Sequence, residues 1–155
     1  MRYVGSLFLP VAATVLLASG CGTGHLSGSQ NVGVTVGASS RSQQVAVTLE
    51  EYELKVTQKS VSSGKVSFKV HNAGRDKHEF VILRTDIPPA GLLTMGSQDK
   101  INEAAPGVVH VAEIDGVDPG KERDLDVDLK PGNYVLICNI VGHVHEGMVA
   151  GFVVR

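Results

Sequence analysis

Tyr134-Val-Leu-Ile-Cys138-Asn-Ile-Val-Gly-His143-Val-His-Glu-Gly-Met148 is the stretch on which the reading of this chain turns. Tyr134, Leu136 and Cys138 alternate with Val135 and Ile137, so Cys138 ends an apolar strand on its inward face. Met148 opens the next apolar run, and the nine residues between Cys138 and Met148 are enough to fold back over their own ends. Cysteine, histidine and methionine are thus separated by four residues each. Soft sulfur donors favour Cu(I), imidazole accepts both oxidation states and a thioether tolerates both, so such a set suits one copper ion through a one-electron change. A further donor has to come from elsewhere, and His78 is the candidate.

Working outward, short alternating segments dominate. Val66, Phe68 and Val70 alternate with Lys65, Ser67 and Lys69, and Leu125, Val127 and Leu129 with Asp124, Asp126 and Asp128, the pattern of half-buried strands. Further strands are expected at Val45–Leu49, Tyr52–Thr57, Glu79–Leu83, Val108–Ile114, Asn133–Cys138 and Val149–Val154. Ser63-Gly64, Asn72-Ala73-Gly74, Asp118-Pro119-Gly120 and Lys130-Pro131-Gly132 supply turns between them. Seven to eight short strands predict an all-β sandwich. Thr85 to Gly107 lacks strand pattern, and a long connection with one helical turn around Ser97 to Ala104 is expected there.

The amino terminus has a different character. Arg2 precedes an uncharged apolar run from Tyr3 to Ala18, then Ser19, Gly20 and Cys21, which is the layout of an export signal. Leu17-Ala-Ser-Gly-Cys21 resembles the lipobox of bacterial lipoproteins, with cleavage before a lipidated cysteine. Residues 1–20 are therefore expected to be a signal peptide and Cys21 a lipid anchor. At least two acyl chains would give stable attachment at the extracytoplasmic face of a bacterial membrane, in the periplasm or at the cell surface. Residues 21–44, rich in Gly, Ser, Thr and Asn, read as a flexible tether of about 25–30 Å. Residues 45–155 are long enough for one domain. Val32, Val34 and Val36 are a weaker strand candidate within the tether.

Loss of Arg2 with the signal moves the net charge from −2 to −3, and no basic patch points to nucleic acid. The chain has two cysteines; lipidation of Cys21 leaves Cys138 without a disulfide partner, as either a buried hydrophobe or a metal ligand. Taken singly, Cys138 could be core, Met148 gap filler and His78 a buried core histidine; their joint arrangement favours ligation. His145 is the competitor of His143 within the loop and is expected at its rim. His71 and His110 are expected on the surface, His110 with no partner nearby in sequence. His25 falls in the tether, and Met95 in the long connection is a weak alternative soft donor.

Asn72-Ala-Gly-Arg-Asp-Lys-His78-Glu-Phe-Val-Ile, then Asp118-Pro-Gly, Leu129-Lys-Pro-Gly-Asn-Tyr134 and the Cys138/His143/Met148 loop, resemble the cupredoxins. The likeness is to small bacterial plastocyanin- or azurin-like proteins, including sulfocyanin-like and auracyanin-like members, over about Val45 to Arg155. It implies a Greek-key β-sandwich or barrel and a blue, type 1 copper centre. His78, Cys138 and His143 would be the equatorial ligands and Met148 the long axial one. Two positions depart from the family: Glu79 stands where asparagine often ties the ligand loops together, and Val141 replaces the usual proline before Gly-His.

A type 1 centre with four protein ligands has no open position for substrate, which confines its chemistry to electron transfer. The expectation is a non-enzymatic, membrane-tethered one-electron carrier. It would be a monomer, docking transiently with redox proteins near His143 through Ile140, Val141 and Val144. Copper delivery, buffering or sensing is the alternative, and a structural β-sandwich module the third reading.

Overall fold

The computed structural model describes residues 43–96 and 99–155. The expected signal peptide, Cys21, His25, the Val32–Val36 candidate and almost all of the tether lie outside the described residues. The folded part contains β1 (Gln43–Glu50), β2 (Glu53–Val56), β3 (Ser60–Val61), β4 (Gly64–Asn72) and β5 (His78–Arg84). There follow α1 (Pro89–Leu92), β6 (Val109–Val117), β7 (Glu122–Leu129), β8 (Gly132–Ile137), α2 (His143–Glu146) and β9 (Val149–Val154). The strands form two sheets, ordered β2-β1-β4-β7 and β3-β9-β8-β5-β6, in the all-β sandwich architecture expected. All eight anticipated strands are present; the ninth, β3, has two residues, too few to carry a periodicity.

Alternation explains the first sheet. On β4, Val66, Phe68 and Val70 face the core while Lys65 and Lys69 face solvent, and β7 presents Leu125, Val127 and Leu129 inward. These two strands pair antiparallel, with Phe68 opposite Leu125, whereas β1 pairs parallel to β4 with Val45 opposite Phe68. Phe68 reaches across to Phe80 and Phe152 of the other sheet at centroid distances of 5.4 and 5.6 Å. This three-ring contact joins the layers at the favoured aromatic separation. Tyr134 is buried with its hydroxyl donating to the Lys130 carbonyl at 2.8 Å, so the Lys130-Pro131-Gly132 turn is tied to the strand it begets.

β5 is different: Phe80, Val81, Ile82 and Leu83 are all buried, so both faces of this central strand are covered. Phe80 and Ile82 enter the main core, while Val81 and Leu83 join an outer cluster with Leu92, Ile101, Ala105, Val108, Val135, Ile137 and Val144. The long connection between β5 and β6 is therefore a lid over the outside of the five-stranded sheet. Its helix lies at Pro89–Leu92, where Pro88-Pro89 pre-sets the helical entry; of the turn expected around Ser97 to Ala104, residues 97 and 98 lie outside the described residues and 99–104 are not helical. Residues 99–105 follow Leu92 with turns and one bridge residue, Lys100.

Candidate metal centre

Cys138 lies just past β8, fully buried in the main core. Its amide donates to the Met148 carbonyl at 3.0 Å, which carries the β8–β9 ladder one step further. The Glu79 backbone N–H donates to its Sγ at 3.3 Å. Burial pushes the thiol above its ordinary range, against weaker opposing help from the Ile140 and Glu79 amides. A buried thiolate therefore needs a compensating cation at the sulfur, as metal coordination provides.

His78 begins β5 and is likewise fully buried. Its Nδ1 points to the centre and its Nε2 away from it, 3.2 Å from Glu51 Oε1. Burial holds the imidazole below its ordinary pKa, partly offset by Glu51, so the ring is kept in the neutral form that ligates. Glu51 is anchored in turn by the backbone N–H groups of Asp76, at 2.8 Å, and Arg75, at 2.6 Å. The Asp76 N–H is the largest influence pulling its carboxyl down to about 2.

His143 enters from the loop. Gly142 and Gly147, with φ of 86° and 133°, bracket the four-residue helix α2, and these left-handed positions let the loop reverse twice within a few residues. The Met148 N–H donates to the His143 carbonyl at 3.1 Å, and the Gly142 N–H to Asp99 at 3.1 Å. His143 Nδ1 thereby sits 3.2 Å from His78 Nδ1 and 3.5 Å from Cys138 Sγ, with 3.8 Å closing the triangle between Cys138 and His78. A point equidistant from three such atoms lies about 2.0 Å from each, within the usual metal–nitrogen range. Met148 is fully buried in the same core as Cys138 and is bonded through its backbone to both Cys138 and His143. Tyr52 packs edge-on to the His143 ring at 5.5 Å.

The other histidines are placed elsewhere. His145 is exposed on α2. His110 is exposed as expected, yet it does have partners, Glu113 at 3.3 Å and Glu103 at 3.7 Å; Glu103 comes from the lid, seven residues away in sequence. His71 is half-buried rather than fully solvated. Met95 packs against the outer cluster, away from the site. Val144 corrects the expected apolar docking surface: it is fully buried in the outer cluster, because α2 turns it beneath the loop. Val141 is 59% exposed and Ile140 half-buried against the core.

Three contributors escaped the sequence reading. Glu51 comes from the β1–β2 turn, 27 residues before His78, and no local pattern links them. Buried Asn72 donates to the Asp76 and Val117 carbonyls and accepts from the Gly74 N–H, shaping the turn into His78; the Asn-Ala-Gly signal marked the turn but not this role. Buried Asn139 clasps Ile101 and reaches Glu103 at 2.7 Å, binding the ligand loop to the lid. Between the two ligand loops themselves the link is the Glu79 N–H on Cys138 Sγ, while Asn139 and the Gly142–Asp99 bond hold the Cys138 loop to the lid. The Glu79 side chain is half-buried on the outer face, where burial pushes its carboxyl up. Lys100 opposes this, and Asp115, Glu103 and Glu113 add to it.

A family model for the sulfocyanin (SoxE) domain matches residues 29–155. The chain belongs to the sulfocyanin family. Among solved structures, this sulfocyanin domain is similar to reduced auracyanin from Roseiflexus castenholzii, with a TM-score of 0.54 and 20% identity over 74% of this chain and 98% of that one. It is similar to auracyanin A, a blue copper protein from Chloroflexus aurantiacus, with a TM-score of 0.51 and 17% identity over 72% and 98% of the two chains. Reduced rusticyanin gives a TM-score of 0.54 and 19% identity over 72% and 76%. At these identities the likeness speaks to the fold, which is that of the cupredoxins. No curated protein sequence matches significantly. The cupredoxin family and the donor set at this sulfocyanin site fit a single type 1 copper ion.

Proposed function

We propose that this protein is a one-electron carrier in which His78, Cys138 and His143, with the Met148 thioether as the weaker donor, would hold one copper ion. The observation that carries this reading is the convergence of two Nδ1 atoms and one Sγ within 3.2–3.8 Å of one another at the end of the sandwich. Copper bound there supplies a Cu(I)/Cu(II) couple. The protein's part is to keep the donors from moving. Cys138 and His78 are fixed by the core, and His143 by the loop's own hydrogen bonds, which favours fast transfer through small rearrangement. His143 is the one donor whose residue is partly exposed, so its edge is the natural contact for a redox protein, with Val141 and Tyr52 beside it. Small, transient contact suits such an exchange. With four protein donors no position remains for substrate, and the protein is not an enzyme.

The amino-terminal pattern supports the rest of the reading: export, lipidation at Cys21 and a tether that keeps the domain at the extracytoplasmic membrane face. Among the described residues no helix is long and apolar enough to cross a membrane.

Titration of the protein with Cu(II) tests the centre. An intense visible thiolate-to-copper band, absent in Cys138→Ser, is expected; its absence from the unaltered protein sinks the reading. Reversible voltammetry with the metal retained in both states is expected of a carrier, whereas ready loss of Cu(I) to a chelator would favour delivery.

A further inference from the structure

The β1–β2 turn sends Glu51 under one imidazole of the centre and Tyr52 against the other. Nothing in the ligand loops themselves fixes which nitrogen of His78 faces the metal. Nδ1 looks toward Cys138 and His143, and among the described residues the hydrogen-bond partner of Nε2 is Glu51 Oε1, at 3.2 Å. With Glu51 in place His78 is entirely shielded from solvent. Glu51 is itself held in place: the same Oε1 accepts the N–H groups of Arg75 and Asp76, in the segment that leads directly into His78. A carbon placed on Gly74 would fall against the Glu51 carboxylate, so the turn is also shaped to admit this side chain.

We infer that Glu51 is a positioning residue of the copper centre: its carboxylate takes the Nε2–H of His78, commits Nδ1 to the metal, and places a negative charge behind the ligand that favours the oxidised ion. This rests on the copper reading given above. A neutral backbone carbonyl could hold the same tautomer, but a carboxylate makes the stronger bond and raises the basicity of the imidazole. The stabilisation is larger for Cu(II) than for Cu(I), because the extra positive charge is the one that the carboxylate attracts. The centre is thereby biased towards a lower reduction potential than its four ligands alone would set.

Two variants separate charge from geometry. Glu51→Gln retains an oxygen that can accept from Arg75, Asp76 and His78 while removing the charge. It is expected to keep the visible band and to lose the stability that the Glu51 carboxylate gives the copper-free protein above pH 4.5, while lowering the preference for Cu(II) over Cu(I). A tenfold fall reads as a rise of about 59 mV in a one-electron potential. Glu51→Ala removes the bond as well and should weaken copper binding by about 10–100-fold. In the copper-free protein, nitrogen-15 NMR of His78 should show the Nε2–H tautomer, with a mixture of tautomers in Glu51→Ala. An unmoved potential in Glu51→Gln overturns the inference. So does an unaltered tautomer in Glu51→Ala. Loss of thermal stability in Glu51→Gln with no change of potential would make the residue structural only. Absence of the visible band from the unaltered protein would instead strike the copper reading on which the inference rests.

Discussion

Asn139 grips the backbone of Ile101 with both ends of its amide: Oδ1 accepts the Ile101 N–H at 2.8 Å and Nδ2 donates to the Ile101 carbonyl at 3.0 Å. The residue immediately after Cys138 is thus paired with the lid as one strand pairs with another. Asn139→Ala strands two buried backbone groups, and a loss of about 2–4 kcal/mol is expected from denaturant unfolding of the copper-free protein. The visible band should also broaden, since Cys138 loses its neighbour's anchor. A change below about 0.5 kcal/mol would show that the clasp is dispensable.

Protonation should limit the copper-free protein on both sides of neutrality. Burial lowers His78 below 6.5 and raises Cys138 above 9.0. Below pH 6.5 the unfolded chain takes up a proton that folded His78 refuses, so stability falls as pH drops from 6.5 towards the depressed value. Above pH 9 the unfolded chain releases a proton that folded Cys138 keeps, so stability falls again as pH rises. Glu51, held at about 2 against an ordinary 4.5, adds stability that is complete above pH 4.5 and lost on acidification from there towards 2. Thermal midpoints against pH should therefore be highest between about 6.5 and 9. His78→Gln should flatten the first acid decline, and an unchanged slope would remove His78 as its source.

Gly147 combines a φ of 133° with a close neighbour: a β-carbon there would lie 2.7 Å from the Tyr52 carbonyl oxygen. Gly147→Ala is expected to cost about 1–3 kcal/mol in backbone strain and to push the ligand loop away from the β1–β2 turn. Faster copper release and a lower thermal midpoint would register this. Full retention of both would mean that the loop can yield without consequence.

The choice between the two loop histidines is open to a direct comparison. His145→Ala should leave the visible band and copper affinity unchanged, because the side chain is exposed on α2. His143→Ala should abolish or transform the band. The reverse result would exchange their roles.

What could be read in the sequence was what is local or periodic. The alternation of β4 and β7 foretold the inner faces, and the Cys138–Met148 spacing foretold a hairpin whose loop returns His143 to Cys138, because both ends belong to adjacent strands. Val144 was misplaced for the converse reason: in a short loop there is no period, and its burial depends on Leu92, Ile101 and Val108 arriving from the lid. The helix begins at Pro89, where proline's fixed φ pre-sets its entry, and the composition of residues 97–104 was no guide to it. Glu51 and Asn139 were illegible, since each is defined by a partner distant along the chain, and an isolated polar residue in one sequence carries no record of what it meets.

The bond from Glu79 to the Cys138 sulfur begins at a main-chain amide. His78 and Glu79 therefore serve the centre by different means, one with its side chain and the other with its backbone, while the Glu79 carboxylate hangs on the opposite side of the sheet. Any residue with an amide proton can preserve the sulfur contact. Position 79 is consequently a dial that evolution or an engineer can turn, altering charge and polarity next to His78 without removing the amide that reaches the Cys138 sulfur.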